Sequence, residues 1–154
     1  MKECDICDAL TNAEKACRLA IVRAFGYEVN VYRFANPGET DCAVFDIGYS
    51  YTGDLNVCRA ESLHWRGTLE LFNREHDALQ RMVMRLIDAF PVNDTLHADD
   101  DAREESNVLL LRIAPESNAV GSIGVEEVSP KNGGAPVQTY TCKVAFDVVF
   151  AVRF

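Results

Sequence analysis

The stretch Ser62-Leu63-His64-Trp65-Arg66-Gly67-Thr68-Leu69-Glu70-Leu71-Phe72, followed by Asn73 and an amphipathic segment that ends at Pro91, decides how this chain folds. Leu63, Trp65, Gly67, Leu69 and Leu71 alternate with Ser62, His64, Arg66, Thr68 and Glu70. Successive side chains of a strand point to opposite faces, so this pattern predicts one face on a core and one toward solvent or a partner. Past Asn73 the period lengthens. Leu79, Met82, Val83, Leu86, Ile87 and Phe90 recur at helical spacing and form an apolar stripe about 100° wide. Asn73 is the expected cap and Pro91 the stop. Asp77 precedes Arg81 by four residues, the favourable direction for an exposed pair. The methionines of this helix read as core filler.

Toward the N-terminus, Thr11-Asn12-Ala13-Glu14 has the form of a capping box. Cys17, Ala20, Ile21 and Ala24 follow on one helical face, and Gly26 supplies the stop. This buried stripe is made largely of small residues, which lets the helix lie close to a sheet. Residues 1–10 read as a frayed N-terminal segment, and 11–154 as a single domain. From Tyr27 the period becomes two, with Tyr27, Val29 and Val31 on one side. Asn36-Pro37-Gly38-Glu39 is a turn, because proline fixes φ and glycine tolerates a positive one. Cys42 to Ile47 is the expected return strand of a hairpin, and Gly48 to Asp54 a polar connection.

Toward the C-terminus, residues 93–106 form an acidic insert with Asp94, Asp99, Asp100, Asp101, Glu104 and Glu105. Carboxylates suit hard cations, but the spacing is not that of a calcium loop, and packed like charges favour a solvated loop. Val108 to Ile113 is a continuous apolar run, as expected of a central strand. Ala119 to Val128 reads as a strand interrupted at Gly121 and Gly124, and Lys131-Asn132-Gly133-Gly134 as a hairpin turn. The last strand, Val137 to Phe154, places Tyr140, Cys142, Val144, Phe146, Val148, Phe150, Val152 and Phe154 on one face, and Asp147 and Arg153 on the other. Its length is about three times that of an ordinary strand. Part of it is therefore expected to reach past its own sheet and be covered by a neighbouring subunit. The fold class expected from this order is α/β (α+β): a mixed, mostly antiparallel sheet, two helices packed on it, and a long C-terminal strand.

The chain has 154 residues, 48% of them hydrophobic, and a formal net charge of −9. That is enough apolar content for a core and too few cations for general binding to a phosphate backbone. No window has the roughly 18 uninterrupted apolar residues of a membrane span, and the charged start does not resemble a secretory signal. Six cysteines are irregularly spaced, at 4, 7, 17, 42, 58 and 142. Cys4 and Cys7 form one C-x-x-C without a second pair, and His64, His76 and His97 lie far along the chain. A metal or cofactor is therefore not expected. Cys17 and Cys142 read as small buried hydrophobes. No phosphate loop, nucleophile elbow or metalloprotease motif is present, and the expectation is a protein that is not an enzyme.

In the order of its elements, in Trp65-Arg66-Gly67-Thr68-Leu69-Glu70-Leu71-Phe72 leading into an amphipathic helix, and in its aromatic C-terminal strand, the chain resembles the tail terminator (tail completion) proteins of long-tailed bacteriophages and phage-derived particles. The resemblance covers residues 11–154. It implies a virion protein, assembled in the host cytoplasm, that forms a hexameric ring. Such a ring caps the tail tube, ends its polymerisation and joins the tail to the head connector, and genomic DNA passes through it without specific binding. The implied partners are further copies of the chain, the tail tube protein and the connector or neck proteins. Trp65, Arg66, Asp147 and Arg153 are the candidate subunit or tube contacts, and Asp99, Asp100 and Asp101 the candidate lumen or loop charge. The cysteine-bearing N-terminus and the acidic insert depart from the family pattern. Two other readings stand beside it: a small cytosolic metal- or redox-dependent domain using Cys4 and Cys7, and another phage neck or baseplate adaptor subunit.

Overall fold

The computed structural model describes residues 5–33, 40–46, 62–90, 108–129 and 133–151. The elements run α1 (Asp5–Ala24), β1 (Val31–Tyr32), β2 (Cys42–Asp46), β3 (Ser62–Asn73), α2 (His76–Ala89), β4 (Val108–Ile113), β5 (Gly124–Val128) and β6 (Val137–Ala151). The six-stranded sheet has the order β1-β2-β3-β6-β4, with β5 also paired to β6. Among the described strands only β1 and β2 pair in parallel, Val31 beside Ala43; the remaining pairs are antiparallel. The α+β class, the two helices and the long C-terminal strand are as expected.

β6 is the spine. Its residues Tyr140–Ala151 pair with Asn73–Ser62 of β3 along one side. Along the other side it pairs in turn with β5 from Val137 to Thr141, with Val120 at Val144, and with β4 from Phe146 to Phe150. The strand is long because it backs several partners within its own sheet. Every residue of 137–151 is paired on at least one side; residues 152–154, Arg153 among them, lie outside the described residues.

One face of the sheet carries the core. Ala43 and Phe45 of β2, Leu69 and Leu71 of β3, Leu111 and Ile113 of β4, and Cys142, Val144, Phe146, Val148 and Phe150 of β6 are buried in one cluster. A bulge between Val108 and Leu110 lets Val108 share that side with Leu111 and Ile113. α1 adds Ala9, Ala13, Cys17, Ile21 and Phe25, and α2 adds Leu79, Met82, Leu86 and Phe90. The four-residue repeat of α1 keeps its contributors on one face, and its small side chains allow close approach. Gly67 has a specific reason to be glycine. A Cβ there would lie 2.8 Å from the Phe45 ring, which crosses the strand to meet Phe146 edge-on at 6.1 Å.

Several local expectations are corrected. The repeat of α1 extends back to Ala9, so the helix starts at Asp5 and Thr11 lies inside it. Cys7 is then a helical residue, and Glu14 serves Arg33 and Arg18 instead of a capping box. The expected hairpin of 27–47 is a parallel pair, with β1 only Val31–Tyr32; the turn at Asn36–Glu39 and the connection 48–54 lie outside the described residues. Asn73 sits one residue too early to flank the cap residue, Glu75, directly; instead its Oδ1 accepts the Glu75 N–H at 2.9 Å. Met82 is buried but Met84 is exposed, because it falls on the opposite side of α2. β4 is lateral, not central: its one described strand partner is β6. The Phe90 carbonyl, at the end of α2, accepts the Ile113 N–H of β4 at 3.1 Å. β5 is shorter than 119–128 and pairs antiparallel with β6, and Gly133 has φ +77; Lys131 and Asn132 of the expected turn lie outside the described residues. No helix among the described residues is long and apolar enough to cross a membrane.

α1 closes with paired backbone bonds, Gly26 N–H to Arg23 O at 2.9 Å and Tyr27 N–H to Val22 O at 3.0 Å. This is a Schellman arrangement. Gly26 takes φ +63 freely, but Tyr27 also has φ 63 and is 68% exposed, so packing offsets little of its left-handed cost. Tyr27→Gly is expected to raise stability by about 0.5–1 kcal/mol, read by urea denaturation. An unchanged or lower midpoint would show that the Tyr27 ring contributes more than its exposure indicates.

Candidate functional site

The face of the sheet opposite both helices carries a row of charge. Arg66 of β3, Asp147 of β6 and Arg112 of β4 are register partners across adjacent strands. Asp147 Oδ1 lies 3.3 Å from Arg66 Nε and 3.1 Å from His64 Nε2, and its Oδ2 lies 3.6 Å from Arg112 Nη2. The Asp147 side chain is only 3% exposed, whereas Arg66 and Arg112 are 25% and 30% exposed. Arg66 Nε and Arg112 Nε are themselves buried beside the carboxylate, so part of each guanidinium is withdrawn from water with it.

The loop between β4 and β5 completes the cluster. Ala114 N–H donates to Ala145 O at 2.9 Å, and Ala145 N–H donates to Ala119 O at 2.7 Å. Residues 115–118 therefore leave the sheet between two fixed points, and Glu116 pairs with Arg66 Nη1. The cluster thus joins the guanidiniums of Arg66 and Arg112 with the carboxylates of Asp147 and Glu116, with His64 beside Asp147. Around the row the face is mixed: Val44, Leu110, Ala145 and Val149 are half-buried, Thr68 is exposed, and Glu70 and Lys143 approach at 3.9 Å.

Of the candidate contacts, the structure brings Arg66 and Asp147 together and separates Trp65 from them. The Trp65 ring is on the core side, 6.2 Å from Phe150. Arg153, Asp99, Asp100 and Asp101 lie outside the described residues. So do Cys4 and His97, which leaves Cys7 alone of the C-x-x-C pair on a described helix. His76 meets Tyr140 edge-on at 5.3 Å, away from His64. Sequence reasoning missed Arg112 and Glu116. The available signal was that Arg112 is the one charge within the apolar run Val108–Ile113.

Chemically, the row clamps three strands and presents a patterned surface. Cys17 and Cys142 are both on the core side. Burial pushes the Cys17 thiol far above its ordinary range, and nearby Glu14 adds to the effect. The Cys142 thiol donates to Gly121 O at 3.3 Å. Among the described residues no group of three or more His, Cys, Asp or Glu could hold a metal ion. A second ion cluster, formed by Glu14 with Arg33 Nε at 2.9 Å and Arg18 Nε at 3.6 Å, stands at the β1 side of α1. No protein-family model matches the chain, and no curated protein shows significant similarity to it.

Proposed function

We propose that this chain is the subunit of a ring that caps the tail tube of a long-tailed phage or a phage-derived particle, ends tube polymerisation and joins the tail to the head connector. The observation that carries this reading is the one-sided architecture. α1 and α2 both join the core on a single face, and among the described residues the other face is a strand surface crossed by the Arg66–Asp147–Arg112 row. A half-wet sheet face with fixed charges suits recognition of another subunit, because charge placement selects partner and register more than it adds affinity. The fold agrees with the one implied by the resemblance in residues 11–154. The net charge of −9 suits a channel that must let a polyanion pass without gripping it.

The test is molar mass by light scattering across a wide concentration range, followed by addition of the chain to purified tail tube protein during polymerisation. A hexamer, or a monomer that adds to tube ends and stops their growth, is the expected result. A stable dimer that leaves tube growth unchanged would overturn the reading.

A further inference from the structure

β5 is an open strand edge. One side of Gly124–Val128 pairs with β6 in unbroken register, and the other side has no hydrogen-bond partner among the described residues. Gly124 to Glu127 are exposed and Val128 is half-buried. Sheets protect such an edge with proline, a bulge or charge. The segment has no proline, and its pairing with β6 shows no shift of register, which leaves charge as its safeguard.

That charge is two-sided. Successive side chains of a strand alternate between faces, so Glu126 lies on one face of β5 and Glu127 on the other. Neither has a counter-ion among the described residues. Val125, an apolar side chain that is 53% exposed, shares the face of Glu127. A strand laid along this edge, parallel or antiparallel, sets one residue directly beside Glu126 and that residue's neighbour beside Glu127. Opposite charges at such positions attract and like charges repel. The matching strand therefore carries two adjacent basic residues, one for each face, and an apolar residue next to them, beside Val125. The sequence of this chain has no two Lys or Arg residues side by side. A second copy cannot supply the pair, and the edge discriminates against its own kind.

We propose that the β5 edge takes an extended basic segment of another protein as an added strand, with adjacent Lys or Arg residues beside Glu126 and Glu127 and an apolar residue beside Val125. Main-chain bonds to the open edge hold the segment, and the two carboxylates select it. The proposal goes beyond the tail-cap reading and does not rest on it.

The experiment titrates the full-length chain at low salt with three end-blocked peptides of equal charge and follows backbone amide shifts and exchange. The first places two adjacent lysines before a valine within an otherwise Thr/Val sequence. The second has the same residues with the lysines two apart, so that both fall on one face. The third has prolines in place of the valines. The expected result is that the first peptide binds at least about fivefold tighter than either of the others, with shifts and new amide protection centred on 124–128. Binding should weaken in high salt. Glu126→Gln/Glu127→Gln should abolish the preference for the first peptide and keep the wild-type melting temperature, since both altered side chains are exposed. Equal binding of the proline peptide would show attraction to an acidic surface without an added strand, and would overturn the proposal. Equal binding of the spaced-lysine peptide, or shifts confined to residues away from 124–128, would do the same. Concentration-dependent protection of 124–128 without any peptide would overturn the choice of partner in favour of a second copy. None of these outcomes bears on tube growth, which judges the tail-cap reading separately.

Discussion

Phe146→Ala is expected to remove about 4 kcal/mol of stability, measured as a shift in urea midpoint at constant slope. Phe146 is fully buried at the centre of β6. Its ring meets Phe45 edge-on at 6.1 Å and Phe90 edge-on at 5.6 Å, so one side chain connects β2, β6 and the end of α2. Its register partner on β3 is Gly67, which has no side chain to move into the space. The cost of a truncation rises with the cavity that remains, and here the nearest strand neighbour offers nothing to refill it. Phe146→Leu keeps most of the volume and is expected to cost about 1 kcal/mol. If the alanine variant lost under about 1.5 kcal/mol, Phe45 would have to swing into the vacancy. The packing of Phe45 over Gly67 would then be looser than the 2.8 Å approach indicates.

The same site shows what the sequence could and could not say. Alternation over Ser62–Phe72 identified β3 and both of its faces, and the burial of Leu69 and Leu71 follows that pattern. It could not say why Gly67 is glycine, since Phe45 lies far away along the chain and reaches it only through the β2–β3 register. Local periodicity likewise located β6 and its length but not the partners that the length serves. Fifteen paired residues look excessive until β3, β4 and β5 are all set against one strand. The parallel β1–β2 pair was illegible for a different reason. A turn signal specifies one reversal of direction, whereas a parallel neighbour requires the chain to return to the level at which β1 began, which short-range spacing does not encode. On the open face, Arg66 and Asp147 stood out as charges within strand patterns. Their union with Arg112 and Glu116 depends on registers and on the 115–118 excursion, which no short-range spacing encodes.

Asp147→Ala is expected to lower stability by about 3 kcal/mol, because it leaves two guanidiniums facing each other across an emptied position. The value is placed at the lower end for a broken buried pair, since Arg66 and Arg112 are 25% and 30% exposed and water can screen part of the repulsion. Asp147→Asn should recover the shape of the site but not the countercharge, and fall between the variant and the wild type. A more informative comparison removes the whole row: Arg66→Met, Asp147→Leu and Arg112→Met together. Buried ion groups replaced as a set by apolar residues often cost nothing and can stabilise. If the triple variant is as stable as the wild type while Asp147→Ala is not, the row does not exist for stability. Its charges would then serve recognition on the face that carries them, and the triple variant should fold and fail to cap tail tubes. If it folds and caps normally, the row is a strand clamp and the contact surface of the ring lies elsewhere.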